Sequence, residues 1–377
     1  MLKRILLLLL PLLTGMSAQP SAPAQPVFES AQQRFRVETV VDGLVHPWAL
    51  AFLPDGTLLI TERPGRLRVV RDGRLLPQAV RGLPEIAARG QGGLLDVVLH
   101  PEFADNRLIY FSYSAAGEGG YTTRVARGRF DDANLTLSGV QVLFEALPRS
   151  RRTHHFGSRL VFDRAGFLYI TVGDRGDMDR AQKLDDHAGS VLRLHDDGRI
   201  PSDNPYLGQK NVRPEIYSYG HRNPQGMTLH PDSGAVWLHE HGARGGDEIN
   251  IVRPGLNYGW PVITHGVDYT YLPIGIGTHK EGMAQPLHHW TPSIAPSGMA
   301  FYTGDVFPHW RGNLFVGALV RTHLARLVLD SEKVVAEEQL LTTLGRRIRD
   351  VRQGPDGRLW LLTDHDPGQL LRLDVAR

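Results

Sequence analysis

Five polar, glycine-rich stretches hold the residue types that could do chemistry. They are Gly90–Asp96 (GQGGLLD), His154–Leu160 (HHFGSRL), Tyr219–Gly226 (YGHRNPQG), His239–Glu248 (HEHGARGGDE) with Asn257–Pro261 (NYGWP) after it, and Gly345–Asp350 (GRRIRD). A histidine in such a stretch is a base, a metal ligand or a hydrogen-bonded structural residue. His239-Glu240-His241 alternates like a metal set. On a strand, however, both histidines share one face and Glu240 takes the other, and zinc needs a third ligand that the sequence does not locate. By itself, Arg347-x-Arg349 is an ordinary solvated strand face. The glycines say more, because they let backbone approach a ligand closely. Several such loops point to one shared polar pocket.

Something must bring these loops together. Between them an apolar alternation, a Pro/Asp/Gly turn and a second apolar run recur. The clearest copy is Leu50–Ile60 (LAFLPDGTLLI); others begin at Val97, Leu160, Met227, Met299 and Val351. Each reads as a hairpin, since an Asp-Gly turn tolerates positive φ and joins two strands tightly. Six copies at near-regular intervals match one four-stranded blade each, so the expected fold is all-β, a six-bladed β-propeller. Every polar stretch lies at the edge of a hairpin copy and so belongs on a loop at the channel mouth.

The motifs GQGG, HFGSRL, VGDRGD, GHRNPQG, EHG followed by GGDEIN, NYGWP, APSGMAFY and GRRIRDV occur in this order along essentially the whole chain after its leader. Together they resemble the soluble PQQ-dependent glucose and aldose sugar dehydrogenases (glucose/sorbosone dehydrogenase-like). The resemblance implies that His155, not His154, is the catalytic base and that Asp174 orients it. It implies quinone contacts from Gln91, Arg222, Asn223, Tyr269 and Ser293, and carboxylate pairing by Arg347 and Arg349. The backbone carbonyls of Gly242 and Ala243 would hold a catalytic Ca²⁺, and Glu248 and Tyr258 a further, structural Ca²⁺. On an extended segment His154 and His155 point to opposite sides, so only one faces the substrate.

Two departures from the family pattern stand out. Ala243 takes the place of a common proline, which a carbonyl ligand tolerates. Val320, followed by Arg321, stands where glucose-type members carry a lysine. One cofactor-pairing cation is therefore absent or supplied differently. The implied chemistry is consistent in itself. Arginine pairs carboxylates bidentately, Ca²⁺ takes oxygen ligands, and a neutral histidine suits the proton of an anomeric hydroxyl. The implied reaction oxidises an aldose to a lactone, with an electron acceptor the sequence does not name. Two rivals remain: a calcium-dependent lactonase, which would leave the arginine pair unused, and a non-catalytic propeller that binds a partner.

The bulk properties bound the setting. Among 377 residues, 42 Lys and Arg face 40 Asp and Glu in an interspersed pattern, which leaves no footprint for nucleic acid or an anionic membrane. No cysteine occurs, so thiol nucleophiles, thiolate metal sites and disulfides are excluded. Lys3 and Arg4, the leucine run Ile5–Leu13 and the small residues to Ala18 read as a signal peptide (1–18), giving a periplasmic or secreted protein with no membrane span after cleavage. Residues 19–34 read as a flexible leader and 35–377 as one catalytic propeller, monomeric or homodimeric.

Overall fold

Each hairpin copy owes its shape to its turn. In the first, Asp55 caps the backbone N–H of Thr57 at 3.0 Å and Gly56 takes φ +87°. This places Leu50 opposite Ile60 across the strands Pro47–Phe52 and Leu58–Glu62. The computed structural model describes residues 26–376, and in it all six copies form the first two strands of a separate antiparallel sheet. The inner strands are Pro47–Phe52, Leu94–Leu99, Leu160–Phe162, Pro224–Leu229, Pro296–Phe301 and Ile348–Gln353. Each touches the next, and the last touches the first, so the sheets close into a ring. The protein is a six-bladed propeller with almost no helix. The helices among the described residues are one turn, Phe103–Asn106, and two 3₁₀ turns, Met178–Gln182 and Pro308–Trp310.

Five blades have four strands consecutive in sequence. The sixth combines both ends of the chain. Its C-terminal strands Ile348–Gln353, Leu359–Thr363 and Gly368–Val375 are completed by Arg34–Leu44, which runs antiparallel to Gly368–Val375 from Phe35↔Val375 to Leu44↔Gly368. Val27–Glu29 adds a fifth strand outside, pairing with Arg34–Arg36. Part of the stretch read as leader (19–34) is therefore sheet. The signal-peptide reading lies outside the described residues.

Apolar side chains fill the gaps between blades, for example Trp48, Leu59, Val97, Phe111 and Phe156 between the first blades. The channel is filled by charge. Arg159, 1% exposed, donates to Asp96 at 3.1 Å and meets Asp350 at 3.3 Å; Arg352 reaches the same two carboxylates at 3.2 and 3.0 Å. The backbone N–H of Leu50 donates to Asp350 at 3.1 Å. These contacts link blades one, two, three and six across the axis.

Candidate active site

His155 lies on the loop that leads into Leu160–Phe162, and Asp174 follows the strand Leu168–Val172 of the same blade. The loop is sharply turned: His155, Gly157 and Ser158 have φ of +52°, +62° and +85°. Gly157 is required there, because a Cβ would sit 2.8 Å from the Gly173 nitrogen and the Thr171 oxygen. One consequence corrects the expectation from sequence. The segment is not extended, and the two histidines do not diverge. Their rings meet edge to face at 4.8 Å, and both line one cavity of about 360 Å³.

Only His155 has a carboxylate partner. Its Nδ1 donates to Asp174 Oδ1 at 2.7 Å. Asp174 is itself fixed by Trp260 Nε1 at 2.9 Å and the Gly176 N–H at 2.6 Å. Burial pushes the His155 pKa below its ordinary value, against the pull of Asp174, so the ring is neutral near pH 7. Burial pushes the Asp174 carboxyl up, but the hydrogen bond from His155, the charge of that ring once protonated at low pH, and Arg222 nearby hold it below its ordinary value. With Nδ1 occupied, Nε2 is the nitrogen free to accept a proton. Arg152, Arg222, Ala243, Asp268 and the exposed Tyr269 line the same cavity.

A second cavity, of about 300 Å³, is lined by Arg63, Gln91, Gln225, His241, Val320, Arg347, Arg349 and Asp364, among others. It adjoins the first through hydrogen bonds between the two linings. Gln91 accepts the His155 backbone N–H at 2.9 Å, and Arg222 donates to the His241 carbonyl at 3.3 Å. Arg347 and Arg349 both donate to Asp364 Oδ2, at 3.0 and 2.9 Å, and those two arginines hold its carboxyl far below the ordinary range against burial. Three arginines thus face one carboxylate. The Nε atoms of Arg63 and Arg349 and Oδ1 of Asp364 are buried with no partner in the protein. The two orphaned arginine donors suit a polycarboxylate ligand.

The other predicted residues take varied places. The Gly242 carbonyl accepts Arg222 Nη1, and Ala243 lines the histidine cavity, so oxygen donors suited to Ca²⁺ stand beside the site. Asn223 is buried beneath the His155 loop, where Oδ1 accepts the Gly157 N–H at 3.2 Å; it lines neither cavity. Ser293 lines neither cavity as well. Its hydroxyl donates to Asp247 at 2.7 Å, and Asp247 also accepts the N–H groups of Gly242, Ile294 and Ala295. Glu248 stands beside Glu240; burial and that second charge push its carboxyl up. The Tyr258 hydroxyl donates to the Ile251 carbonyl and accepts the Arg253 N–H, so its phenol is already engaged.

The alternation of His239-Glu240-His241 is that of a strand. Both imidazoles reach backbone carbonyls of the next blade, at Ser297 and Pro296, while Glu240 accepts from His221 Nδ1 at 2.7 Å. Sequence reasoning gave no role to Trp260, Arg63 or Asp364. Trp260 sat within a quoted motif, and Asp364 ends the last hairpin copy, but neither signal distinguishes a site residue from a strand end.

Residues 44–372 match the family model described as glucose/sorbosone dehydrogenase. The chain belongs to that family. It is 46% identical to the aldose sugar dehydrogenase YliI of Escherichia coli over 97% of each chain, and 29% identical to quinoprotein glucose dehydrogenase B of Acinetobacter calcoaceticus over 97% of this chain and 93% of that one. It superposes on the PQQ-bound aldose sugar dehydrogenase of Streptomyces coelicolor with TM-score 0.76 at 27% identity, covering 94% of this chain and all of the other. As a sugar dehydrogenase of this family, the chain has one notable gap: Val320 opens onto the arginine cleft and brings no charge, and Arg321 does not line it.

Proposed function

We propose that the protein oxidises aldoses at the anomeric carbon to lactones, with PQQ and Ca²⁺ as cofactors, in the periplasm or outside the cell. One observation carries this reading: a carboxylate-oriented, neutral histidine opens onto a cavity that adjoins an arginine-lined cleft with orphaned donors. Relatives named as quinoproteins and as PQQ-bound add support. Arg347 and Arg349 would hold the cofactor's carboxylates, with Gln91 and Arg222 beside it, and the carbonyls of Gly242 and Ala243 would hold the calcium ion. When bound, the quinone and its calcium ion supply an electrophilic acceptor for the hydride of the anomeric carbon.

The protein's own share is positioning and proton transfer. Nε2 of His155 takes the proton of the anomeric hydroxyl, and Asp174 stabilises the resulting imidazolium through Nδ1–H. Trp260 and Gly176 keep Asp174 in place. Tyr269 offers an exposed ring against which a sugar face can pack. The close approach of Glu240 and Glu248 supports a second cation nearby, with Tyr258 contributing through its main chain, since its phenol is engaged. No helix among the described residues is long and apolar enough to cross a membrane.

The test is to add PQQ and Ca²⁺ to the purified protein with an aldose and an artificial electron acceptor. Lactone formation that needs both additions is expected. Hydrolysis of added lactone without PQQ would favour the lactonase reading instead.

A further inference from the structure

Arg63 is a cation of the cleft that the mechanism above does not use. It sits in the turn between Leu58–Glu62 and Arg66–Arg71 of the first blade, next to the sixth blade in the ring, and lines the same cleft as the sixth-blade arginines. Its backbone is held firmly. The N–H donates to His46 at 3.1 Å, the carbonyl accepts from Leu94 at 3.2 Å, and Gly93 packs so closely that a Cβ there would lie 2.1 Å from that carbonyl. The side chain has one anchor, Nη1 to the Gly90 carbonyl at 3.0 Å, on the loop that presents Gln91. Nε is buried with no partner in the protein. Among the described residues that line the cleft the only carboxylate, Asp364, is engaged by Arg347 and Arg349.

We infer that Arg63 is a third arginine of the cofactor site, pairing with a carboxylate of the quinone from the blade next to that of Arg347 and Arg349. The inference rests on the proposed PQQ site and adds the cation that Val320 does not provide. Its physical basis is the make-up of the cleft, where Arg63, Arg347 and Arg349 share one carboxylate and the buried Nε of Arg63 has no partner in the protein. Burial disfavours the charged form of Arg349 and Asp364 favours it, while Arg63 and Arg347 add repulsion that an incoming polyanion relieves. Arginine also offers the parallel donors that a planar carboxylate accepts.

The test is calorimetric titration of the ligand-free protein with PQQ in Ca²⁺-containing buffer, with no turnover required. Arg63→Gln keeps a donor for the Gly90 carbonyl but loses the charge. It is expected to weaken PQQ binding by tenfold or more, and Val320→Lys added to it is expected to recover much of the loss, because that side chain enters the same cleft. Thermal melting in parallel confirms that the variants fold. Binding in Arg63→Gln within about twofold of wild type would overturn the inference, as would a loss that Val320→Lys does not recover, which would assign Arg63 a purely structural part through the Gln91 loop. Failure of the wild-type protein to bind PQQ at all would instead remove the underlying reading, and so is told apart from failure of Arg63 alone.

Discussion

His154 and His155 share a cavity, yet they are chemically unlike. His155 has a carboxylate on Nδ1; His154 has none, and burial and the neighbouring ring lower its pKa. His155→Ala should therefore cut the turnover of holo-protein by about 10²–10⁴-fold, the usual contribution of a positioned base, whereas His154→Ala should cost less than about tenfold. Steady-state rates on both variants at saturating cofactor decide between them; the opposite ranking would exchange their roles. The pH profile follows from the same geometry. The base must be neutral, and its folded pKa lies below the ordinary histidine value, so activity is full at neutral pH and falls only as pH drops through that depressed value. In rates measured from pH 8 downward, the midpoint of the decline should lie below the ordinary histidine value of about 6.5. A decline already complete at 6.5 would contradict the assignment. Asp174→Asn should lower kcat, measured with the cofactor still bound, since it removes the charge that stabilises the imidazolium and turns into a donor one of the two oxygens that accept from His155 Nδ1 and Trp260 Nε1.

At the scale of elements, loops matter more than strands. Asp247, at the start of the strand Asp247–Ile251, gathers the Gly242, Ile294 and Ala295 N–H groups and the Ser293 hydroxyl. It fixes the turn whose carbonyls are the proposed calcium ligands. Asp247→Ala leaves buried donors unpaired, each costing about 1–3 kcal/mol, and should lower both melting temperature and Ca²⁺ affinity. Calorimetry with Ca²⁺ alone, showing wild-type affinity in that variant, would deny the turn its part. Ser293 illustrates how far the sequence could be read. Its position near the site is legible from its motif, but whether a hydroxyl faces a ligand or a neighbouring carboxylate depends on loop shape. The six hairpins are legible because their signals are local: a turn and two alternating runs within a dozen residues. The turned backbone at His155 is not, because it arises from a contact between Gly157 and the strand end at Gly173, which no local pattern encodes. Asp364 escaped notice for a similar reason, since only the fold brings it against Arg347 and Arg349.

At the scale of the whole molecule, closure of the ring is what makes one site from loops of different blades. No disulfide helps, and the outer pairing between residues 34–44 and 368–375 joins segments more than three hundred positions apart, a register invisible in the sequence. Two devices hold the ring. The first is the buried cluster of Asp96, Arg159, Asp350 and Arg352. Removing one member leaves uncompensated charge, so Arg159→Ala should cost about 3–5 kcal/mol of stability, read by denaturant unfolding. The second is the strand Arg34–Leu44. It covers one edge of the sixth blade with Phe35, fully buried, and Val37, Val41 and Leu44, all turned into the core. A chain beginning after Leu44 would expose that apolar surface and leave the Gly368–Val375 edge unpaired. The inner strand of that same blade carries Arg349, and Arg347 immediately precedes it. Loss of closure should thus reach the cleft before the rest of the ring. The truncated protein is expected to retain most of its strand signal by circular dichroism while PQQ affinity falls at least tenfold and the melting temperature drops. If truncation left PQQ binding intact, the sixth blade would have to hold its arginines without the N-terminal strand, and ring closure would have no part in the proposed cofactor cleft.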